Sequence, residues 1–145
     1  MQIDFSQNNL ATCNLPLATH KEAMNEPIMP KPTISIVAPV YNEEAVLAEL
    51  PRRVSGVMDK LNEPWELVLV NDGSRDRSAE VVAELHKKDP RVKGISFSGN
   101  FGFQVAVTAG LNHAQGDAVI LTDADLQDPP EVYPEMIAKW REGDE

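Results

Sequence analysis

From residue 33 onward, short apolar segments alternate with stretches of helical periodicity, and this alternation leaves few folds open to the chain. The apolar segments are rich in β-branched residues and comprise residues 34–40, 65–70, 92–97 and 118–121. Near-continuous apolar runs of this length are typical of strands buried on both faces of a parallel sheet. Strands that alternate with helices favour an α/β fold, with an open, doubly wound, mostly parallel sheet and helices on both faces.

Helices are predicted between and after these strands. Apolar residues at helical spacing indicate helices over residues 43–60, 76–88, 101–114 and 131–141. In the first of these, Asn42 is a candidate N-cap, and Pro51 predicts a kink or a restart. Asp128 is expected to cap the last helix.

The order of the strands predicts where a ligand binds. The right-handed crossover rule leaves few topologies, and the doubly wound order 3-2-1-4 places the switch point between the first and fourth strands. Ligands bind beyond the carboxyl ends of the strands at such a point. We therefore expect one crevice, formed by the turn at 39–44, by Asp72 and by residues 123–125.

Residues 1–32 differ from the rest of the chain. They carry Asn, Gln and Thr without a clear period, and three prolines (Pro27, Pro30 and Pro32) stand at their end. We interpret them as a flexible N-terminal arm, with a short partner-binding segment as the alternative. Residues 33–145 are then the folded part.

Charge and cysteine content exclude several classes of protein. A formal net charge of −10 argues against nucleic-acid binding, which needs a basic face. The single cysteine, Cys13, forms no intramolecular disulfide or cysteine zinc cluster, which indicates a reducing, cytoplasmic setting. No apolar run has the length of a membrane span and no signal-peptide pattern occurs, so we predict a cytoplasmic protein, including the cytoplasmic face of a membrane.

The segment after the fourth strand carries the strongest chemical signal. Residues 122–128 place three carboxylates and an amide directly after an apolar strand. In an extended chain, the side chains of Asp123, Asp125 and Gln127 point the same way. Oxygen ligands suit Mg²⁺ or Mn²⁺, which would bridge these residues to a phosphate or diphosphate ligand. The alternative is an acidic turn that caps the last helix.

Three further candidates have two interpretations each. Asp72 either forms the turn at 71–74 by accepting nearby backbone N–H groups, or accepts hydrogen bonds from a nucleobase or ribose. Tyr41 packs under the first helix or stacks on a base, and Glu43 favours a helix N-terminus or lines the site. The sequence contains no G-x-G-x-x-G motif after the first strand, which argues against dinucleotide oxidoreductases. It also contains no G-x-x-x-x-G-K-S/T motif, which argues against P-loop NTPases.

Five segments carry a family resemblance in their order and spacing. They are SIVAPVYNEE at 35–44, VNDGSRD at 70–76, NFG at 100–102, QGDA at 115–118 and DADLQDPP at 123–130. Together they resemble family 2 glycosyltransferases with a GT-A fold, in the branch of dolichyl-phosphate mannose synthase and bacterial polyprenyl-phosphate glycosyltransferases.

The resemblance implies metal-dependent transfer of a sugar from a UDP- or GDP-sugar to a polyprenyl phosphate lipid. The positions that match the family's nucleotide-sugar pocket are Pro39, Tyr41, Glu43, Val70, Asp72, Asp123 and Ala124. It also implies that Asp123, Asp125 and Gln127 hold a Mg²⁺ or Mn²⁺ cofactor. No catalytic base is assigned, because a phosphate acceptor is already anionic.

The sequence is compatible with more than one function. Members of the branch are much longer, so the chain is either a truncated product or a donor-binding half, and a non-catalytic nucleotide-sugar-binding module is the second hypothesis. A third is a signalling domain phosphorylated on aspartate, which needs an acid pair that Glu43 and Glu44 only partly supply. A sheet without further strands exposes an edge beside the fourth strand, so self-association is also expected.

Overall fold

Four parallel strands form the centre of the fold. β1 (Ile34–Val40), β2 (Trp65–Asn71), β3 (Val92–Ser96) and β4 (Ala118–Leu121) make one sheet in the order β3-β2-β1-β4. All three neighbouring pairs run parallel. The computed structural model describes residues 28–143. Within them, the predicted doubly wound sheet, its strand order and its switch point between β1 and β4 are confirmed.

Helices cover both faces of this sheet. They are α1 (Glu49–Met58), α2 (Ser78–Lys88), α3 (Phe103–His113) and α4 (Tyr133–Glu142), with short 3₁₀ helices at Asp59–Leu61 and Pro130–Val132. One buried core lies between the sheet and α1, α2 and α4, and a second lies between the sheet and α3. Within β1, Ile36 and Ala38 enter the first core and Val37 the second. Burial on both faces is the reason that the strand sequences are almost continuously apolar.

The first helix differs from its prediction. It begins at Glu49 rather than Glu43, because residues 44–48 form turns and Asn42 adopts a left-handed φ of 53° instead of capping a helix. Pro51 lies in the first turn of α1. A proline N–H is not needed there, so Pro51 is compatible with a helix that starts at Glu49.

β4 is the edge of the described sheet, and Val119 and Leu121 are 40% and 46% exposed. The predicted edge beside the fourth strand is therefore present between residues 28 and 143, while self-association stays a prediction. Of the predicted N-terminal arm, residues 1–27 lie outside the described residues. None of the helices within the described part of the chain has both the length and the apolar character that crossing a membrane requires.

Helix α3 approaches the sheet closely at Gly110. A Cβ at this position would lie 2.3 Å from Cγ1 of Val37 and 3.1 Å from Cγ2 of Val70. Both valines are fully buried and β-branched, so their side chains cannot easily move to make room for a Cβ. We expect Gly110→Ala to lower the free energy of unfolding by about 1–3 kcal/mol, despite the better helix propensity of alanine.

Urea denaturation followed by circular dichroism measures this effect. Gly56→Ala is the matched control, because a Cβ there, in α1, meets nothing within 4 Å. This control should be neutral or stabilising. Equal stabilities of the two variants would contradict the packing argument.

Candidate functional site

A cavity of about 360 Å³ opens at the carboxyl edge of the sheet. Its position agrees with the crevice predicted at the switch point between β1 and β4. The predicted site residues that line it are Pro39, Tyr41, Glu43, Asp72, Asp123, Ala124 and Asp125. Every charged side chain among the described lining residues is acidic.

Val70 lies outside this lining. Its side chain is fully buried in the core beneath α3, where it packs with Val37 and Val68. It is therefore a core residue and not a residue of the cavity surface. Asp128 also differs from its predicted role, because no side chain caps α4 or the 3₁₀ helix before it.

The segment after β4 is a turn, and the predicted extended geometry is wrong. Ala124 and Asp125 form the turn, and Leu126 adopts a φ of 64°. Asp125 Oδ1 accepts a hydrogen bond from the backbone N–H of Gln127 at 3.0 Å. This turn brings Asp123 and Asp125 to the same cavity, whereas Gln127 is not among the lining residues.

Asp72 holds the loop that precedes α3. Its Oδ1 accepts a hydrogen bond from Phe101 N at 2.7 Å, and its Oδ2 accepts one from Gly102 N at 3.0 Å. The turn at 71–74 is instead closed by Asn71, whose Oδ1 accepts a hydrogen bond from Ser74 N at 3.1 Å. Each carboxylate oxygen retains a lone pair, so Asp72 can still accept a hydrogen bond from a ligand.

Gly73 allows the same loop to approach β2. It has a φ of 66°, and a Cβ there would lie 2.2 Å from the carbonyl carbon of Gly99 and 2.5 Å from the nitrogen of Asn100. Only glycine satisfies both conditions. The loop brings Asn100 and Phe103 into the cavity lining, two residues that sequence reasoning missed. The signal that could have found them was the NFG segment at 100–102, in the loop between α3 and a strand that neighbours β2.

Tyr41 and Phe103 present aromatic surface at the cavity. Tyr41 is 43% exposed and Phe103 is 55% exposed. Tyr41 therefore does not pack under a helix, and that interpretation is wrong. Its exposed ring is free to contact a ligand.

Negative charge dominates the electrostatics of the cavity. Burial, with the neighbouring carboxylates of Asp125, Asp76 and Asp123, raises the pKa of Glu43 above its ordinary value. Among residues 28–143, no three His, Cys, Asp or Glu side chains converge as a metal site. Mg²⁺ commonly binds one or two protein carboxylates and completes its shell with substrate phosphates and water. Asp123 and Asp125 fit a cation shared with a phosphate ligand in this way.

The raised pKa of Glu43 predicts a pH-dependent effect on stability. The folded protein holds this proton more tightly than the unfolded chain, so stability falls as the pH rises from the ordinary carboxyl pKa through the raised one. We expect Glu43→Gln to raise the midpoint of thermal unfolding at neutral pH without divalent cations. Well below the ordinary glutamate pKa of about 4.3, where the carboxyl is protonated in both states, the difference should vanish.

Glu80→Gln is the control for this measurement, because Glu80 is exposed on α2. Scanning calorimetry at both pH values decides the outcome. A Glu43→Gln variant that is destabilised at neutral pH would show that charge repulsion in the cavity is not the main contribution of Glu43 to stability.

Similarity to known proteins extends over most of the chain. Residues 35–145 match the model of glycosyl transferase family 2. The chain is 59% identical over 109 residues to the uncharacterized glycosyltransferase YkcC of Bacillus subtilis. This alignment covers 75% of this chain and 34% of the relative. It is 48% identical over 111 residues to the undecaprenyl-phosphate 4-deoxy-4-formamido-L-arabinose transferase of Shewanella sediminis, with 76% and 34% covered. The chain thus spans about a third of the length of these curated relatives.

Solved structures share the fold. The mannosyltransferase PcManGT from Pyrobaculum calidifontis, in complex with GDP-Man and Mn²⁺, matches with a TM-score of 0.62 at 23% identity, over 83% of this chain and 37% of that chain. S. aureus TarS 1–349 matches with a TM-score of 0.59 at 23% identity, over 76% and 32%. The shared feature is the helix-covered parallel sheet of GT-A glycosyltransferases.

Proposed function

The chain belongs to glycosyltransferase family 2, and we propose that it is the nucleotide-sugar-binding part of a metal-dependent enzyme that transfers a sugar from a UDP- or GDP-sugar to a polyprenyl phosphate. The acidic cavity at the carboxyl edge of the sheet is the observation that carries this proposal. Asp72 on one side and Asp123 and Asp125 on the other leave space for a nucleotide and its diphosphate between them.

The nucleoside half of the ligand is assigned to the β1 and β2 side of the cavity. There Pro39 and the exposed ring of Tyr41 offer apolar surface to a base. The carboxylates of Glu43 and Asp72 are acceptors for base N–H or ribose O–H groups. Of the predicted nucleotide-sugar pocket, Val70 is left out because its side chain belongs to the core, and Asp123 and Ala124 are assigned to the diphosphate half.

The diphosphate half is assigned to the turn after β4. Asp123, Ala124 and Asp125 lie against it, and Asp123 and Asp125 would hold Mg²⁺ or Mn²⁺. The bound cation would stabilise the charge that develops on the departing nucleoside diphosphate. Gln127 is left out of this set because it does not line the cavity.

The relatives support the substrate classes. The Shewanella sediminis relative is named for undecaprenyl phosphate, a polyprenyl phosphate. PcManGT was solved with GDP-Man and Mn²⁺, and TarS 1–349 with UDP. A lipid acceptor confines transfer to a bilayer surface, which agrees with the predicted location at the cytoplasmic face of a membrane.

Calorimetric titration of the chain with UDP and with GDP, each with and without Mn²⁺, tests the proposal. We expect one nucleotide to bind, and only with the cation. Binding of neither nucleotide, or equal binding in EDTA, would contradict it. Incubation with Mn²⁺, UDP-glucose or GDP-mannose, and polyprenyl phosphate then distinguishes an enzyme, which forms glycolipid, from a non-catalytic nucleotide-sugar-binding module.

A further inference from the structure

Two loops beside the cavity are joined by a run of hydrogen bonds. We call residues 42–44, which follow β1, and residues 74–78, which follow β2, the loop clamp. At its first end, Asn42 N donates to Ser74 Oγ at 3.0 Å, and Arg75 N donates to Asn42 Oδ1 at 2.9 Å. One asparagine therefore uses both its backbone and its side chain to bind the second loop.

Asp76 joins the two loops at the other end of the loop clamp. Its Oδ2 accepts a hydrogen bond from Glu44 N at 3.2 Å, and its Oδ1 accepts one from Ser78 N at 2.9 Å. Glu44 also binds the second loop through its side chain, because its Oε2 accepts a hydrogen bond from Arg77 N at 3.0 Å. Although burial raises the pKa of Asp76, the hydrogen bonds from Ser78 and Glu44 outweigh it and hold that pKa below its usual value.

Glu43 lies between these two ends. Its backbone N–H donates to Ser78 Oγ at 3.0 Å, and Ser78 is fully buried at the start of α2. The side chains of Tyr41 and Glu43 face the cavity that Asp72 also lines. The second loop thus holds the backbone of the first loop at and beside the two residues that line the cavity.

We propose that Asn42 and Asp76 are positioning residues of the donor site, which hold Tyr41 and Glu43 in the cavity wall without lining the cavity themselves. The inference rests on the proposed function, because the ligand so received is the nucleotide of the donor. Asn42 suits this role because asparagine adopts a positive φ more readily than most other residues. The second loop extends from Asp72, so the loop clamp sets the spacing between the two sides of the nucleoside pocket.

Two single variants of the full chain test this role from opposite loops. Asp76→Ala removes the acceptor of two N–H groups, and Asn42→Gly removes a side-chain acceptor while keeping a residue that tolerates the positive φ. We expect each to weaken binding of UDP or GDP with Mn²⁺ by about 10- to 100-fold, as is common for residues that orient a site. The double variant should lose less than the sum of the two, because both act on one loop pair.

Asp89→Ala is the matched control. Asp89 Oδ1 accepts a hydrogen bond from the N–H two residues later, Arg91 N at 3.0 Å, just as Asp76 does, but it precedes β3 at the amino edge of the sheet. This control should lower stability and leave nucleotide affinity unchanged. Amide hydrogen exchange supplies a second measurement, and we expect Glu43 and Glu44 to exchange faster in Asp76→Ala than in Asp89→Ala.

The outcomes separate this inference from the proposed function. If the unmodified chain binds a nucleotide with Mn²⁺ and Asp76→Ala and Asn42→Gly bind it equally well, the positioning role is overturned and the proposed function stands. If the unmodified chain binds neither nucleotide, the proposed function fails and this inference fails with it. Weaker binding in Asp89→Ala to the same degree would also overturn the positioning role, because a general loss of stability would then explain all three variants.

Discussion

Asp125→Ala is expected to weaken Mn²⁺-dependent binding of UDP or GDP by about a hundredfold or more. A cation that bridges protein and phosphate oxygens contributes several kcal/mol of electrostatic attraction, and each loss of about 1.4 kcal/mol is tenfold in affinity. No basic side chain is present among the described residues that line the cavity, so none of them can take over the attraction for the diphosphate. Isothermal titration calorimetry with and without Mn²⁺ measures the effect.

Asp128→Ala is the control for this variant. Asp128 belongs to the same acidic segment and is exposed, but it does not line the cavity. It should bind nucleotide as the unmodified chain does. An Asp125→Ala variant with unchanged Mn²⁺-dependent affinity would overturn the metal assignment.

The stability of Asp125→Ala supplies an independent check. Asp125 is the nearby charge that does most to raise the pKa of Glu43, so its removal relieves repulsion in the cavity. This relief opposes the loss of the exposed hydrogen bond from Gln127 N, so we expect the variant without cation to unfold at a temperature close to that of the unmodified chain. Loss of binding together with a large loss of stability would instead indicate damage to the fold.

Glu66→Ala is expected to lower the free energy of unfolding by about 3–5 kcal/mol, the range for removing one partner of a buried ion pair. Glu66 lies on β2 and is 2% exposed. Its Oε2 accepts a hydrogen bond from Lys93 Nζ at 2.6 Å, and its Oε1 accepts hydrogen bonds from Ser35 Oγ at 2.5 Å and Gln115 N at 2.7 Å. One carboxylate therefore joins β1, β2 and β3 to the segment that precedes β4. Its loss removes the acceptor of the Ser35 hydroxyl and the Gln115 N–H and the anionic partner of Lys93.

Glu135→Ala is the matched control for this ion pair. Its partner is Lys139, 3.2 Å away on α4, and both side chains are largely exposed. Exposed pairs contribute less than about 1 kcal/mol, so urea denaturation should show a small change. Similar losses of stability in the two variants would contradict the role assigned to Glu66.

The positions of the strands could be predicted from the sequence almost to the residue. Ile34–Val40 and Ala118–Leu121 were predicted with the bounds that the structure has. For Ile34–Val40 the reason is that a strand buried on both faces is apolar along almost its whole length. The handedness of the crossovers left few strand orders, and the doubly wound order among them placed Asp72, Asp123 and Asp125 at one edge. The details of the pocket came from the resemblance of five motifs to a family.

The start of α1 could not be predicted in this way. Asparagine followed by two glutamates is an ordinary helix start, and nothing local distinguishes it from the loop that occurs. The backbone N–H groups of Asn42, Glu43 and Glu44 are occupied by side chains more than thirty positions away. These contacts satisfy the backbone without a helix, so the turn persists to residue 48.

Local sequence determined which segments are strands and helices, because buried apolar positions recur with the period of each element. It also determined which acidic residues follow the strands. Only the tertiary structure decided which loops meet. Asp72 takes its partners from the loop at 101–102, Asp76 joins the loop after β1, and Gln127 does not line the cavity. The physical reason is that a hydrogen-bonding side chain accepts any donor of suitable geometry, and the donor within reach depends on how the strands are ordered in the sheet.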